Sequence, residues 1–127
     1  MAYLSKKDID TAEDRRTEDF EVPEWGGTVR LMVMSGTDLD RFEAILVDPE
    51  KQKEGGVRAQ LVGKCLVDEE GKRLFSDAEV YQLGKKSGAA LTKVFQKCIE
   101  MNKINPDKDE VDIENFEEDQ SESSTTG

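Results

Sequence analysis

Histidine is absent from the 127-residue sequence, and with it the commonest general base and nitrogen ligand for metals. Only two cysteines occur, Cys65 and Cys98, and neither has a histidine to activate it. Both stand among apolar residues at helical spacing, so they read as a reduced, buried pair, against the alternative of a disulfide or metal clip. The glycine pairs Gly26-Gly27 and Gly55-Gly56 lack the flanking pattern of a phosphate-cradling loop. No apolar run approaches the length that spans a bilayer, and no leader-like segment opens the chain. Asp107 and Asp109 begin a calcium-loop pattern, but Val111 fills the next ligand position and no central glycine follows. Asp68, Glu69 and Glu70 could pair as acid and base, yet beside Gly71 they read as a solvated turn. The expectation is a soluble, intracellular protein that is not an enzyme and uses no cofactor, metal or membrane.

Acidic charge, by contrast, is plentiful. Asp and Glu total 29 against 18 Lys and Arg, a net charge of −11. From Asp107 onward there are nine acids against Lys108 alone, and residues 1–22 hold seven acids against four bases. Residues 23–105 carry thirteen of each sign, so two acidic flanks enclose a neutral middle. A neutral surface lacks the long-range repulsion that keeps copies apart, which permits self-association. No basic stripe offers itself to phosphates, so nucleic-acid binding is not expected. With 35% hydrophobic against 37% charged residues, the core should be small.

Periodicity divides the chain. Residues 1–18 are polar with scattered apolar positions and read as a flexible arm, or as a weak helix ordered on a partner. Phe20 and Val22 alternate with acids, Gly26-Gly27 can turn the chain, and Val29, Leu31 and Val33 alternate again, which predicts a β-hairpin. Pro23 cannot donate to a ladder, so the first strand is an edge or stops there. Helical spacing follows. Thr37 with Asp40 resembles an N-cap ahead of Leu39, Phe42, Ile45 and Leu46. Lys51 to Gly56 reads as a loop, and Val57, Leu61, Val62, Cys65 and Leu66 mark one side of a second helix. Ser76-Asp77-Ala78-Glu79 has the pattern of a capping box with Phe75 and Val80 as a staple, predicting a third helix that Gly84 stops. A fourth runs from about Ser87, with Leu91, Val94, Phe95, Cys98 and Met101 on one face, and Asn102 to Pro106 closes it. Residues 106–127 are acidic, then rich in serine and threonine, and read as a disordered tail. The fold expected is thus α+β, a mainly α-helical domain over residues 19–105 with an N-terminal hairpin.

Three stretches carry a family likeness: VPEWGGTVRL at 22–31, LVDEEGKRLFSD at 66–77 and LGKKSGAALTKVFQKCIEMNKI at 83–104. In order and spacing they resemble the tail assembly chaperones of long, non-contractile-tailed phages and prophages. The resemblance implies a mainly helical domain with a small β element that binds the tape measure protein and recruits tail tube subunits. It also implies action in the host cytoplasm and absence from the finished virion. Two other classes stay open: a connector or tail-completion protein retained in the virion, and an acidic mimic of nucleic acid. The candidate partner-binding residues are Trp25, which is either a turn-packing aromatic or an anchor, and Met32 and Met34, which could form an adaptable contact surface.

Overall fold

The computed structural model describes residues 2–104 of the chain. A short helix α1 (Lys6–Thr11) precedes an antiparallel hairpin of β1 (Thr17–Val22) and β2 (Gly27–Met32). Helices α2 (Gly36–Leu46), α3 (Pro49–Gln52) and α4 (Gly56–Cys65) come next, followed at once by the two-residue strand β3 (Leu66–Val67). A 3-10 helix at Val80–Lys85 leads into α5 (Gly88–Met101). The expected α+β class holds. The expected tail over 106–127 lies outside the described residues.

The sheet has the order β1-β2-β3. Thr17 pairs with Met32 and Val22 with Gly27, leaving a four-residue loop, Pro23 to Gly26, between the strands. Of the two glycines only Gly26 turns the chain, at φ 82°, while Gly27 already belongs to β2. β1 stops before Pro23 and lies at the sheet's edge, as its missing donor requires. β3 was not legible in advance. Leu66, expected on the helix, instead leaves α4 in extended geometry and pairs with Leu31.

Caps and ends depart from expectation in physically simple ways. α2 starts two residues early because the Ser35 hydroxyl, not that of Thr37, accepts from the Asp38 N–H at 3.1 Å. Just ahead of the expected loop at Lys51 to Gly56, Asp48 and Pro49 start the extra turn α3, which runs into it, and the Asp48 carboxylate accepts from the Glu50 N–H. At Ser76 half of the capping box closes. The Ser76 N–H donates to Glu79 Oε1 at 2.9 Å, but residues 77–79 form a turn and the helix begins as 3-10 at Val80. Gly84 does not end it. A Cβ there would stand 2.7 Å from the Gly55 carbonyl oxygen, so this glycine lets two backbones touch.

The core gathers where α4 and α5 meet the inner face of the hairpin. Val22, Leu31, Phe42, Leu61, Val62, Val94, Phe95 and Cys98 are fully buried. On α5 the expected face of Leu91, Val94, Phe95, Cys98 and Met101 is the buried one, capped by the Ser87 hydroxyl on the Ala90 N–H. α4 differs from the one-sided helix expected. It runs between α2, α5 and the 3-10 helix, so every residue from Ala59 to Cys65 is buried, Gln60 and Lys64 included. Gln60 satisfies its amide by donating to the Lys51 carbonyl at 2.6 Å.

Candidate functional site

The hairpin tip holds the first candidate. Trp25 is half-buried against the core, inside the 3-10 turn that Pro23 starts. Its indole Nε1 is buried without a hydrogen-bond partner among the described residues. Glu24 beside it reaches Lys93 of α5 at 2.9 Å, which fixes the tip on the helix and holds the Glu24 carboxyl below its ordinary pKa. Met32 is also half-buried, and its methyl end approaches the turn at Gly71. Met34 leaves the candidate surface. The strand ends at Met32, and the Met34 N–H donates to Asn102 Oδ1 at 2.7 Å, which draws Met34 inward to 8% exposure.

The apolar side chains that do face solvent lie mostly elsewhere. Tyr3, Leu4 and Ile9 are 92%, 74% and 60% exposed. They sit on α1 and the residues leading into it, and α1 buries none of its side chains. A complete capping box holds this single turn and a half: Ser5 Oγ accepts from the Asp8 N–H at 3.1 Å, and Asp8 Oδ2 accepts from the Ser5 N–H at 2.9 Å. Those bonds, the Ser5 backbone donor first, hold the Asp8 carboxyl below its usual range. Lys6 pairs with Asp10 one turn on. The arm is tied to the body at its base, where Arg15 Nε donates to the Val33 carbonyl and the Val33 N–H to the Arg16 carbonyl, each at 3.0 Å. Helices this short are marginal in water without tertiary packing. The sequence signal for this surface was the S-K-K-D cap ahead of Ile9, obscured by the polar residues around it.

Beneath the turn at 73–80 runs a groove of about 370 Å³, walled by α2, α4 and the segment around Asp77. Lys64 enters it from α4 with its side chain only 5% exposed, and its ammonium lies 3.6 Å from Asp77 Oδ1. Arg73 Nη1 takes the same carboxylate oxygen at 3.0 Å, while Arg73 Nε donates to the Gly63 carbonyl. Burial pushes the Asp77 carboxyl up, but the Arg73 bond and the nearby Lys64 charge outweigh it and bring the pKa below its ordinary value. Arg41 and Lys51 stand at the rim, with Glu54. Nothing in the sequence pattern marked Lys64 as buried.

Cys65 and Cys98 are free and buried beside each other at the ends of α4 and α5. The neighbouring Cys65 thiol and burial together push the Cys98 thiol well up. Asn102 closes the pair off. Its Nδ2 donates to the Cys98 carbonyl at 2.7 Å and approaches Cys65 Sγ at 3.6 Å, while its Oδ1 holds Met34. Asn102 thereby joins the end of α5 to the exit of β2, a role beyond the helix stop expected of it. Among the described residues, no group of three or more His, Cys, Asp or Glu side chains could hold a metal ion. No described helix is long and apolar enough to cross a membrane.

By sequence the chain matches no protein-family model and no curated protein. Among solved structures it is similar to the tail assembly chaperone of bacteriophage HK97, with a TM-score of 0.56 and 21% identity. The match covers 75% of this chain and 90% of that one. The two proteins share a fold.

Proposed function

We propose that this chain is a phage tail assembly chaperone that binds the tape measure protein and recruits tail tube subunits during tail morphogenesis. The observation that carries the reading is the fold shared with the HK97 chaperone over nine-tenths of that protein's length. The exposed arm supports it. Tyr3, Leu4 and Ile9 stand in solvent on a short helix with no packing of its own, which suits docking onto an apolar helical partner. A tape measure protein is long and helical, so many copies can coat it through individually weak contacts. Residues 23–105 carry no net charge, which allows those copies to lie side by side and associate with one another. The work is done in the host cytoplasm, and the chaperone leaves before the virion is complete.

Affinity purification of the tagged chain from infected cells, with mass spectrometry of the eluate and of purified particles, tests this. The tape measure and tube proteins should co-elute, and the chain should be missing from the particles. Finding the chain in stoichiometric amounts in virions would assign it instead to a retained connector or completion protein.

A further inference from the structure

We infer that the groove around Lys64 is a binding site for carboxylate side chains, and that its occupant is the chain's own acidic segment from Asp107 to Glu122. Lys64 is a cation almost wholly withdrawn from water, and its one ion-pair partner among the described residues, Asp77, lies 3.6 Å away, beyond hydrogen-bond length. Asp77 is in turn shared with Arg73, whose Nη2 is buried with no hydrogen-bond partner among the described residues. One carboxylate thus serves two guanidinium and ammonium groups. Arg41 and Lys51 add two more cations at the rim, where among the described residues Glu54 is the only further acid lining the groove. Lys51 has no ion pair among the described residues, and Arg41 reaches only Asp38, at 3.5 Å. The site is short of acceptors. A carboxylate entering it would form charge-assisted hydrogen bonds with Lys64 in a setting that water screens poorly.

The segment beginning at Asp107 has the complementary chemistry, with nine acids against one base. It is tethered at Ile104, and the 23 residues from 105 to 127 reach about 75 Å when extended. A folded body of this size is roughly 35 Å across, so the segment reaches the groove of its own copy from any starting face. Tethering raises its local concentration to about the millimolar range, so weak pairings suffice. Docking is therefore intramolecular and loosens with salt. It holds whether or not the chain is a chaperone.

The test uses the full chain. In one variant all nine acids from Asp107 to Glu122 become their amides, which leaves the described residues intact. Comparison of backbone amide spectra should show shifts in 41–54 and 60–80 and little change elsewhere in 2–104. The same shifts should appear when salt is raised in the unaltered chain, and they should not depend on protein concentration. Zero-length carbodiimide coupling should join the segment to Lys51 and Lys64 several-fold more than to Lys72, Lys85 or Lys86, and Lys51→Gln should not redistribute the remaining Lys64 links. A folded-region spectrum identical in the two proteins would overturn the inference, as would links spread evenly over the surface lysines. Shifts that vanish on dilution would overturn it too, because they would place the segment on another copy.

Discussion

Gly84 and Gly88 sit four residues apart, and a methyl group would meet opposite surroundings at each. At Gly84 a Cβ would press on the Gly55 carbonyl, which is backbone and cannot swing aside. At Gly88, the first residue of α5, nothing lies within 4 Å. Gly84→Ala should therefore destabilise by about 1–3 kcal/mol, as overpacking does. Gly88→Ala should be neutral or stabilising by up to about 1 kcal/mol, because the unfolded chain loses freedom that the helix does not need. Urea titration of the two variants checks this, and equal effects would contradict the close contact. The sequence shows both glycines and cannot tell them apart, since the difference lies in Gly55, 29 positions before Gly84. Ser35 and Thr37 pose the same problem. Each stands three residues before an aspartate, and the sequence does not distinguish them, whereas in the structure the Ser35 hydroxyl caps by accepting from the Asp38 N–H.

The elements divide by how much they bury. α5 puts one whole face into the core, and Phe95 on that face is 1% exposed with the Arg58 guanidinium 5.9 Å from its ring centre. Phe95→Ala should cost about 3–5 kcal/mol, a large part of the stability of a small domain. α1 buries nothing, so Tyr3→Ser, Leu4→Ser and Ile9→Ser together should change stability by less than about 0.5 kcal/mol while weakening partner capture. Thermal melts of the two variants alongside a pull-down separate the roles, and a large loss of stability from the arm variant would mean that the arm packs on the body. Legibility follows the same division. The hairpin and α5 were readable because one face of each is buried and the sequence repeats at the matching period. β3 was not, since two residues cannot show an alternation and their pairing with Arg30 and Leu31 is non-local. α4 hid its all-round burial because Gln60 and Lys64 interrupt the apolar pattern. Of the candidate residues, Trp25 lies half-buried in the turn between the hairpin strands, whereas Met34 follows Asn102 inward through a bond across 68 positions.

For the molecule as a whole, charge sets the response to pH. Glu18 is held below its ordinary value of 4.5 chiefly by its bond with Lys97, Glu24 by Lys93, and Asp68 by the Lys72 and Glu70 N–H groups of its turn. A carboxyl whose folded pKa is depressed contributes stability above its unfolded pKa and loses it as pH falls through the folded value. Lys97 is raised by Glu18, so its contribution is complete below 10.5 and fades as pH rises beyond that. No histidine titrates in between. Urea midpoints should accordingly be level from about pH 5.5 to 7.5 and fall below about pH 4.5. Glu18→Gln should flatten the acid limb, and an inflection near neutrality would show that some group is titrating that this structure does not explain.

The chaperone reading itself is tested most directly by the fraction of tape measure protein that stays soluble when co-expressed with this chain, followed by pull-down on a tag carried by the chain. The expected result is a tape measure protein that aggregates alone, remains soluble with the full chain and co-elutes with it, and is lost again when Tyr3, Leu4 and Ile9 are changed to serine. Equal aggregation with and without the chain, or a soluble tape measure protein that does not bind it, would contradict the account.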